Sequence, residues 1–562
     1  MKQIEIVIEN TNERIKVDCG TDLKEIAPRY SECCQYPILG ATVNNVVQHL
    51  GYTIYTPKSI RFFDLSSKFG YRMYTDSLTL MLFKAVRDLY PTLTLRVEHS
   101  MPGGFYCRLF DGDKPLVNNA QECRLNSVCQ DVKKRMQELQ KADLPFRNLT
   151  MLLGDARKLI ADADIPATNA VFRGLRQLYI TIQQLDGTTH KLASWPVLST
   201  GLLTCWDLHV YHEGMLLATP NRNNPTQLLP QKETPKLFSI FKEYQDWCNL
   251  LKVPTIADLN RIVMDGNESH LIHVSEALQE KKFATIADAI YRRRSEVKVV
   301  LIAGPSSSGK TTSCRRLSVQ LSVMGFDVQQ LSVDDYFVDR EQTPRQPNGD
   351  YDFEALEAVN VELLNDHLLR LFRGERVEIP TYDFKRGTPF YDGRSLQLGP
   401  NSILVMEGIH CLNPKLTPYI EDKLKFKIYV SALTQLAIDD LNIIHTSDTR
   451  LLRRIVRDNN FRNYSALNTL RRWDSVTAGE QLHIFPYQEN ADIMFNSALL
   501  YELGILKHYA EPLLKDVTED VPEYAVAHRL LNFLELICPI KPSIIHPASI
   551  MREFLGGSSF SY

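Results

Sequence analysis

The sequence predicts a multidomain chain whose C-terminal part is an α/β fold, a parallel sheet flanked by helices. Three observations predict it. Residues 297–303 are mostly apolar and β-branched, the pattern of a buried strand, and run directly into Gly304-Pro305-Ser306-Ser307-Ser308-Gly309-Lys310-Thr311. In residues 312–324, Leu317, Leu321 and Met324 fall on one helical face, and Gly325 follows as a stop. From 297 to about 520, strand-like and helix-like segments then alternate.

Strand, glycine loop and helix are the setting in which this loop pattern cradles phosphate. Loop amides and the helix N-terminus turn toward a polyphosphate, with Lys310 neutralising it and the Thr311 hydroxyl placed for Mg²⁺. The expected phosphate-binding set is Gly304, Pro305, Ser306, Ser307, Ser308, Gly309, Lys310, Thr311 and Thr312.

Next comes Leu331-Ser332-Val333-Asp334-Asp335-Tyr336-Phe337. A strand beginning at Val328 delivers carboxylates at its C-terminal end, where α/β sheets bind ligands. Asp334 is the candidate to accept a hydroxyl proton or to position the metal; Asp335 reads as a turn residue. Ile403-Leu404-Val405-Met406-Glu407-Gly408 is a second strand ending in an acid, and places Glu407 beside the metal. Arg450, Arg453, Arg454 and Arg457 lie at i, i+3, i+4 and i+7, one face of a helix with Ser447 or Asp448 as its cap. Such a face either stabilises a transferring phosphoryl group or is a solvated basic surface. Asp350-Tyr351-Asp352-Phe353-Glu354 and Pro380-Thr381-Tyr382-Asp383-Phe384 mix rings with acids, suited to a flat base and sugar hydroxyls or to ordinary packing.

Ahead of this part lie several units. Residues 1–65 alternate short apolar segments with turns. Residues 66–165 read as α+β, with a helix over 76–90, a strand near 93–97 and a polar helix before Pro145. Residues 166–294 read as β-rich and then helical, with Leu237, Phe241 and Tyr244 on one face. Arg292-Arg293-Arg294 reads as a solvated helix end. Residues 295–520 are the phosphate-loop domain and 521–562 a C-terminal extension.

The chain has 562 residues, too many for one core. It is 44% hydrophobic and 23% charged, with net charge −3, so no global excess of positive charge calls for nucleic acid or an anionic membrane. The N-terminal residues carry acids and alternate like a strand, unlike a signal peptide, and no apolar run spans a bilayer. The 11 cysteines include Cys33-Cys34 and the looser pair Cys123 and Cys129, without a two-residue-gap metal knuckle. Their scatter predicts a reducing, cytoplasmic setting.

The series Gly304 to Thr311, Asp334-Asp335-Tyr336-Phe337, Tyr382-Asp383-Phe384, Glu407-Gly408-Ile409 and Arg450…Arg453-Arg454…Arg457-Asp458 resembles the uridine/cytidine kinase and phosphoribulokinase family over about 220 residues. The resemblance implies ATP- and Mg²⁺-dependent phosphorylation of a sugar hydroxyl, in uridine kinases the nucleoside 5′-OH. It implies Lys310, Asp334, Arg450 and Arg453 as catalytic residues, Asp334 being the base, with Thr311 and Glu407 on the Mg²⁺ side. Tyr336, Asp352, Glu354, Tyr382 and Arg450 are its implied substrate contacts, and residues 491–496 resemble the last sheet strand. The chain departs from the family after Tyr382-Asp383-Phe384, where Lys385-Arg386-Gly387 lacks the base-reading His. It departs again at Glu354-Ala355-Leu356, where Asp-His-Pro is usual. Another hydroxylated acceptor, such as a sugar phosphate, therefore stays open beside the nucleoside.

Residues 1–65, with Gly40-Ala41-Thr42-Val43-Asn44, resemble the β-grasp TGS domain of threonyl-tRNA synthetases. Residues 70–150 resemble the editing-type domain that follows it, with Leu89-Tyr90-Pro91 and Gly104-Phe105-Tyr106. The His-x-x-x-His positions of that domain read Asp76 and Leu80, so no editing hydrolysis is expected. The order of units resembles bacterial TGS-containing nucleoside kinases. The TGS-like module brings possible RNA or ligand contact, and with it a nucleotide-gated RNA-binding role as an alternative. A homo-oligomer is a further expectation.

Overall fold

The computed structural model describes residues 2–112, 114–117, 124–346, 349–383, 385–434 and 436–561. Phe384 and Cys123, both read in the sequence, lie outside the described residues.

In the N-terminal unit, Gln3–Ile8 alternates so that Ile4, Ile6 and Ile8 point inward. The strand pairs antiparallel with Glu13–Asp18 and parallel with Ser59–Phe63, and Gly40–Val43 and Val46–His49 complete a five-stranded sheet. Ile4, Ile6, Leu23, Ile26, Ile54 and Phe62 fill its core.

The helix expected over 76–90 is Lys68–Leu89, longer at its front because the Ser67 side chain accepts the Gly70 amide as an N-cap. Asp76 and Leu80 lie on it. The Asp76 carboxylate accepts the Ser194 amide and hydroxyl at 2.9 and 2.7 Å, and Leu80 is fully buried. Leu93–Met101 and Gly104–Asp111 form a hairpin extended by Gly214–Ala218 and Asp207–Tyr211. Residues 66–165 and the β-rich stretch up to Ala218 thus share one sheet and one core. Helix Pro235–Leu250 buries Leu237, Phe238, Phe241 and Tyr244. Those rings pack beside Val299 and Leu301 and join the N-terminal half to the sheet that follows.

That sheet contains β1 (Val299–Ala303), β2 (Asp327–Ser332), β3 (Ser402–Glu407), β4 (Lys425–Ser431) and β5 (Ile493–Asn496). Its order is β2-β3-β1-β4-β5 and all its pairings are parallel. Helix α1 (Lys310–Val323) follows β1 and ends before Gly325, which adopts φ +89°. Helices α2 (Thr446–Arg462) and α3 (Ala466–His483) lie between β4 and β5. Glu502–Lys515 and Tyr524–Glu535 pack with α2 in one core, and the short turn Arg552–Leu555 buries Phe554. Among the described residues no helix is long and apolar enough to cross a membrane.

Candidate active site

Sheet register brings the site together. Glu407, the last residue of β3, lies opposite Ile302 of β1 on one side and Ser332 of β2 on the other. The loop from β1, the Val333–Tyr336 turn from β2 and the carboxylate of β3 therefore emerge at one level of the carboxyl edge. A Cβ on Gly304 would stand 2.0 Å from the Val430 carbonyl oxygen, so only glycine lets the loop pass β4.

Lys310 Nζ donates to the Pro305 carbonyl at 3.1 Å, curling over the loop. Thr311 Oγ1 and Ser332 Oγ each approach Glu407 Oε1 at 3.4 Å. Burial, then the nearby Asp334 carboxylate, pushes the Glu407 carboxyl up to about 7, with Lys310 pulling the other way. Burial likewise raises the Asp334 carboxyl above its ordinary value, against Lys310 and Arg462. Lys310, Asp334 and Glu407 thus converge, joined by Arg462 and Arg457 from the end of α2. Asp335 turns away and pairs with Arg394 at 2.7 Å.

The fit to a phosphate and a metal is chemical. The Ser307 and Ser308 hydroxyls are buried without a partner, a pair of donors turned into the loop. Among the described residues no group of three His, Cys, Asp or Glu forms a cage for a metal. Thr311 and Glu407 offer the hard oxygens that suit Mg²⁺ when phosphates complete its shell.

The arginine face is divided by what lies behind it. Helix α2 begins at Thr446, with His445 as the residue before it, so neither Ser447 nor Asp448 is the cap. Asp448 lies buried in the first turn, held by Arg72 and Arg529. Arg453 corrects the expectation that it stabilises a transferring group. It is completely buried beneath the loop, donating to Glu502, to the Ser307 carbonyl and to the Ser497 carbonyl and hydroxyl. All its donor directions are used in supporting the loop. Arg450 donates to the Ser306 carbonyl at 2.9 Å and forms a buried pair with Glu480. It touches the loop but is already neutralised. Arg454, Arg457 and Arg462 all pair with the carboxylate of Asp458, which gathers three guanidiniums beside the site. The solvated basic face is not what forms, because this stripe packs on the loop and on buried acids.

Tyr336, expected to meet substrate, is instead a core residue. It is 1% exposed, and its hydroxyl is hydrogen bonded to His367 Nδ1 at 3.0 Å. Tyr382 is buried with its ring edge-on to Phe337, the centroids 5.5 Å apart. Asp352 accepts the Glu354 amide at 3.2 Å and stands 3.8 Å from His483. Glu354 points toward the site with Oε2 unpartnered. Burial first, and Glu480 next, push its carboxyl up to about 7, opposed by Arg454 and Lys310.

Three participants went unread in the sequence. Arg462 lies five residues beyond Arg457, off the helical face that the stripe defines, and joins it only through Asp458. Glu480 accepts the Ser306 amide at 2.9 Å, and Glu553 accepts both the amide and the hydroxyl of Thr312. Neither acid carries a local signal, since each comes from a distant helix or turn.

A loop of this kind, with two strand-end acids and a clustered arginine helix on a parallel sheet, defines a P-loop kinase, a phosphotransferase. Residues 299–500 match the model of the Phosphoribulokinase / Uridine kinase family. The uridine kinase of Schizosaccharomyces pombe is 32% identical over 181 residues, 32% of this chain and 36% of that protein. The uridine kinase of Staphylococcus haemolyticus is 29% identical over 199 residues, 35% of this chain and 86% of that protein. The chain thus spans about a third of the first relative's length and most of the second's. The structure of a possible uridine kinase from Bacillus stearothermophilus aligns with 36% of this chain and 89% of its own, at 21% identity and a TM-score of 0.25.

Proposed function

We propose that the chain is an ATP-dependent nucleoside kinase that transfers the γ-phosphate to the 5′-hydroxyl of uridine, cytidine or a related nucleoside. The observation that carries this reading is the convergence of Lys310, Asp334 and Glu407 at the carboxyl edge of the sheet. Loop amides and Lys310 hold the phosphates. Thr311 and Glu407 would hold Mg²⁺, which neutralises charge between phosphate oxygens. Asp334, its carboxyl raised by burial, accepts the hydroxyl proton. Glu354 takes a hydrogen bond from the acceptor. Arg457 and Arg462, rather than Arg453, face the charge that spreads over the transferring group.

A phosphorylated acceptor is the second reading, favoured by the three guanidiniums that share Asp458. We read residues 1–65 as TGS-like and 66–165 as editing-domain-like, a reading supported by the parallel central pair of the first sheet and the long helix beside the second.

The test is ADP release from ATP–Mg²⁺ across nucleosides and sugar phosphates, with Asp334→Asn beside wild type. Turnover of uridine or cytidine should fall about 10²- to 10⁴-fold in Asp334→Asn, with ATP binding retained. Turnover of a sugar phosphate alone would select the second reading. Silence across the panel with ATP binding intact would turn the assignment toward an RNA-associated regulator.

A further inference from the structure

Helix α1 is 14 residues long, and its first-turn amides have no partner within the helix, so they attract an anion. Here that anion is internal. The Thr312 amide donates to Glu553 Oε2 at 3.0 Å, and Thr312 Oγ1 donates to the same oxygen at 2.8 Å. The carboxylate arrives from the far C-terminal turn Arg552–Leu555.

That turn is firmly packed. Ile550, Met551 and Phe554 are fully buried. Arg552 donates to the Ile545 carbonyl at 2.7 Å, and Asn460 at the end of α2 donates to the Phe554 carbonyl at 3.1 Å. Ile550 Cγ2 stands 2.7 Å from where a Cβ on Gly309 would lie, so the segment presses on the loop itself.

Two acids accept backbone amides of the phosphate-binding set, and they differ. Glu480 is neutralised by Arg450. Among the described residues no cation pairs with Glu553, so its charge opposes any second anion at Thr312. Thr311 approaches Glu407, at the reacting end of the site. Successive helical residues are about 100° apart, so Thr312 faces a different direction from Thr311, toward Glu553.

We propose that Glu553 is an internal occupant of the phosphate site, which holds Thr312 until a phosphate of a nucleoside di- or triphosphate displaces it. The C-terminal turn thereby sets the affinity for the phosphate donor. The inference rests on the reading of the loop as a nucleotide site.

The experiment is ADP binding to the full chain by calorimetry, for wild type, Lys310→Ala, Glu553→Gln, Glu553→Ala and Glu553→Asp, with a thermal melt of each. Binding should weaken at least about tenfold in Lys310→Ala. It should tighten about threefold to tenfold in Glu553→Gln and Glu553→Ala, because a charge-assisted contact no longer competes. Glu553→Asp keeps the charge and should stay close to wild type, so tightening there as large as in Glu553→Gln would overturn the proposal. Lysine-dependent binding that is unchanged or weaker in both Gln and Ala variants would overturn the proposal alone. Binding indifferent to Lys310 would overturn the nucleotide reading beneath it.

Discussion

Arg529, near the C-terminus, holds Asp448 at the head of the arginine helix through two hydrogen bonds of 2.8 and 2.9 Å. Arg72, from the N-terminal half, grips the same carboxylate at 3.0 and 2.9 Å. One acid thus ties three distant parts of the chain together, two residues before Arg450.

Burial alone would raise the Asp448 carboxyl, but Arg529 and Arg72 reverse this and hold it well below the usual carboxylate range. Its folded-state proton affinity is depressed, so its stabilisation is fully present above the ordinary value of 3.8 and is lost as pH falls toward the folded value. Asp448→Asn should cost about 3–5 kcal/mol at pH 7, since two guanidiniums are left buried without their counter-charge. Urea unfolding at pH 7 and pH 3 measures this, and the gap between wild type and variant should narrow in acid.

Arg453 and Arg457 lie four residues apart in the stripe, yet should fail differently when replaced. Arg453→Met leaves Glu502 buried and unpaired, and should cost about 3–5 kcal/mol of stability. Arg457→Gln should melt near wild type but lose about 10²- to 10³-fold in turnover. Melting curves beside steady-state ADP release separate the two.

Tyr336 is a core residue, its hydroxyl held by His367. Tyr336→Phe removes one buried hydrogen bond to His367 and should lower stability by about 1 kcal/mol. The KM for the acceptor should not change. A rise in acceptor KM of tenfold or more would return Tyr336 to the substrate pocket.

Glu354 supplies a pH signature. Its carboxyl is pushed up to about 7, by burial first, from an ordinary 4.5. The folded chain therefore binds a proton between these values that the unfolded chain has released. Its contribution grows as pH falls from 7 to 4.5 and is absent above 7. At pH 8, Glu354→Gln should be more stable than wild type by about 1–3 kcal/mol, an advantage that should shrink toward pH 5. Parallel denaturation series for the two proteins give the difference directly.

The kinase core was legible because its signals are local. A buried parallel strand is a short apolar run, a phosphate loop needs glycine where backbone passes backbone, and strand-end acids follow their strands within two residues. Lys310, Thr311, Asp334 and Glu407 could therefore be placed from neighbours in sequence, and the sheet register then brought them to one edge. The helix over 68–89 was only partly legible, since its first turn depends on the Ser67 cap rather than on apolar periodicity. Helical spacing put Arg450, Arg453, Arg454 and Arg457 on one stripe but could not divide them. Only the packing of Glu502 and Ser497 behind the loop assigns Arg453 to support. Tyr336 was expected among the substrate contacts, but His367 takes its hydroxyl inside the core. Glu480 and Glu553 were invisible because the loop donors they meet lie 174 and 241 residues away in sequence. The sequence by itself determined the chemistry-bearing loop and the acids that close on it, since short-range sterics and hydrogen bonding dictate both. The tertiary structure alone decided which charges are spent on each other and which remain for a ligand, because pairing of buried charge depends on chain segments that only folding brings together.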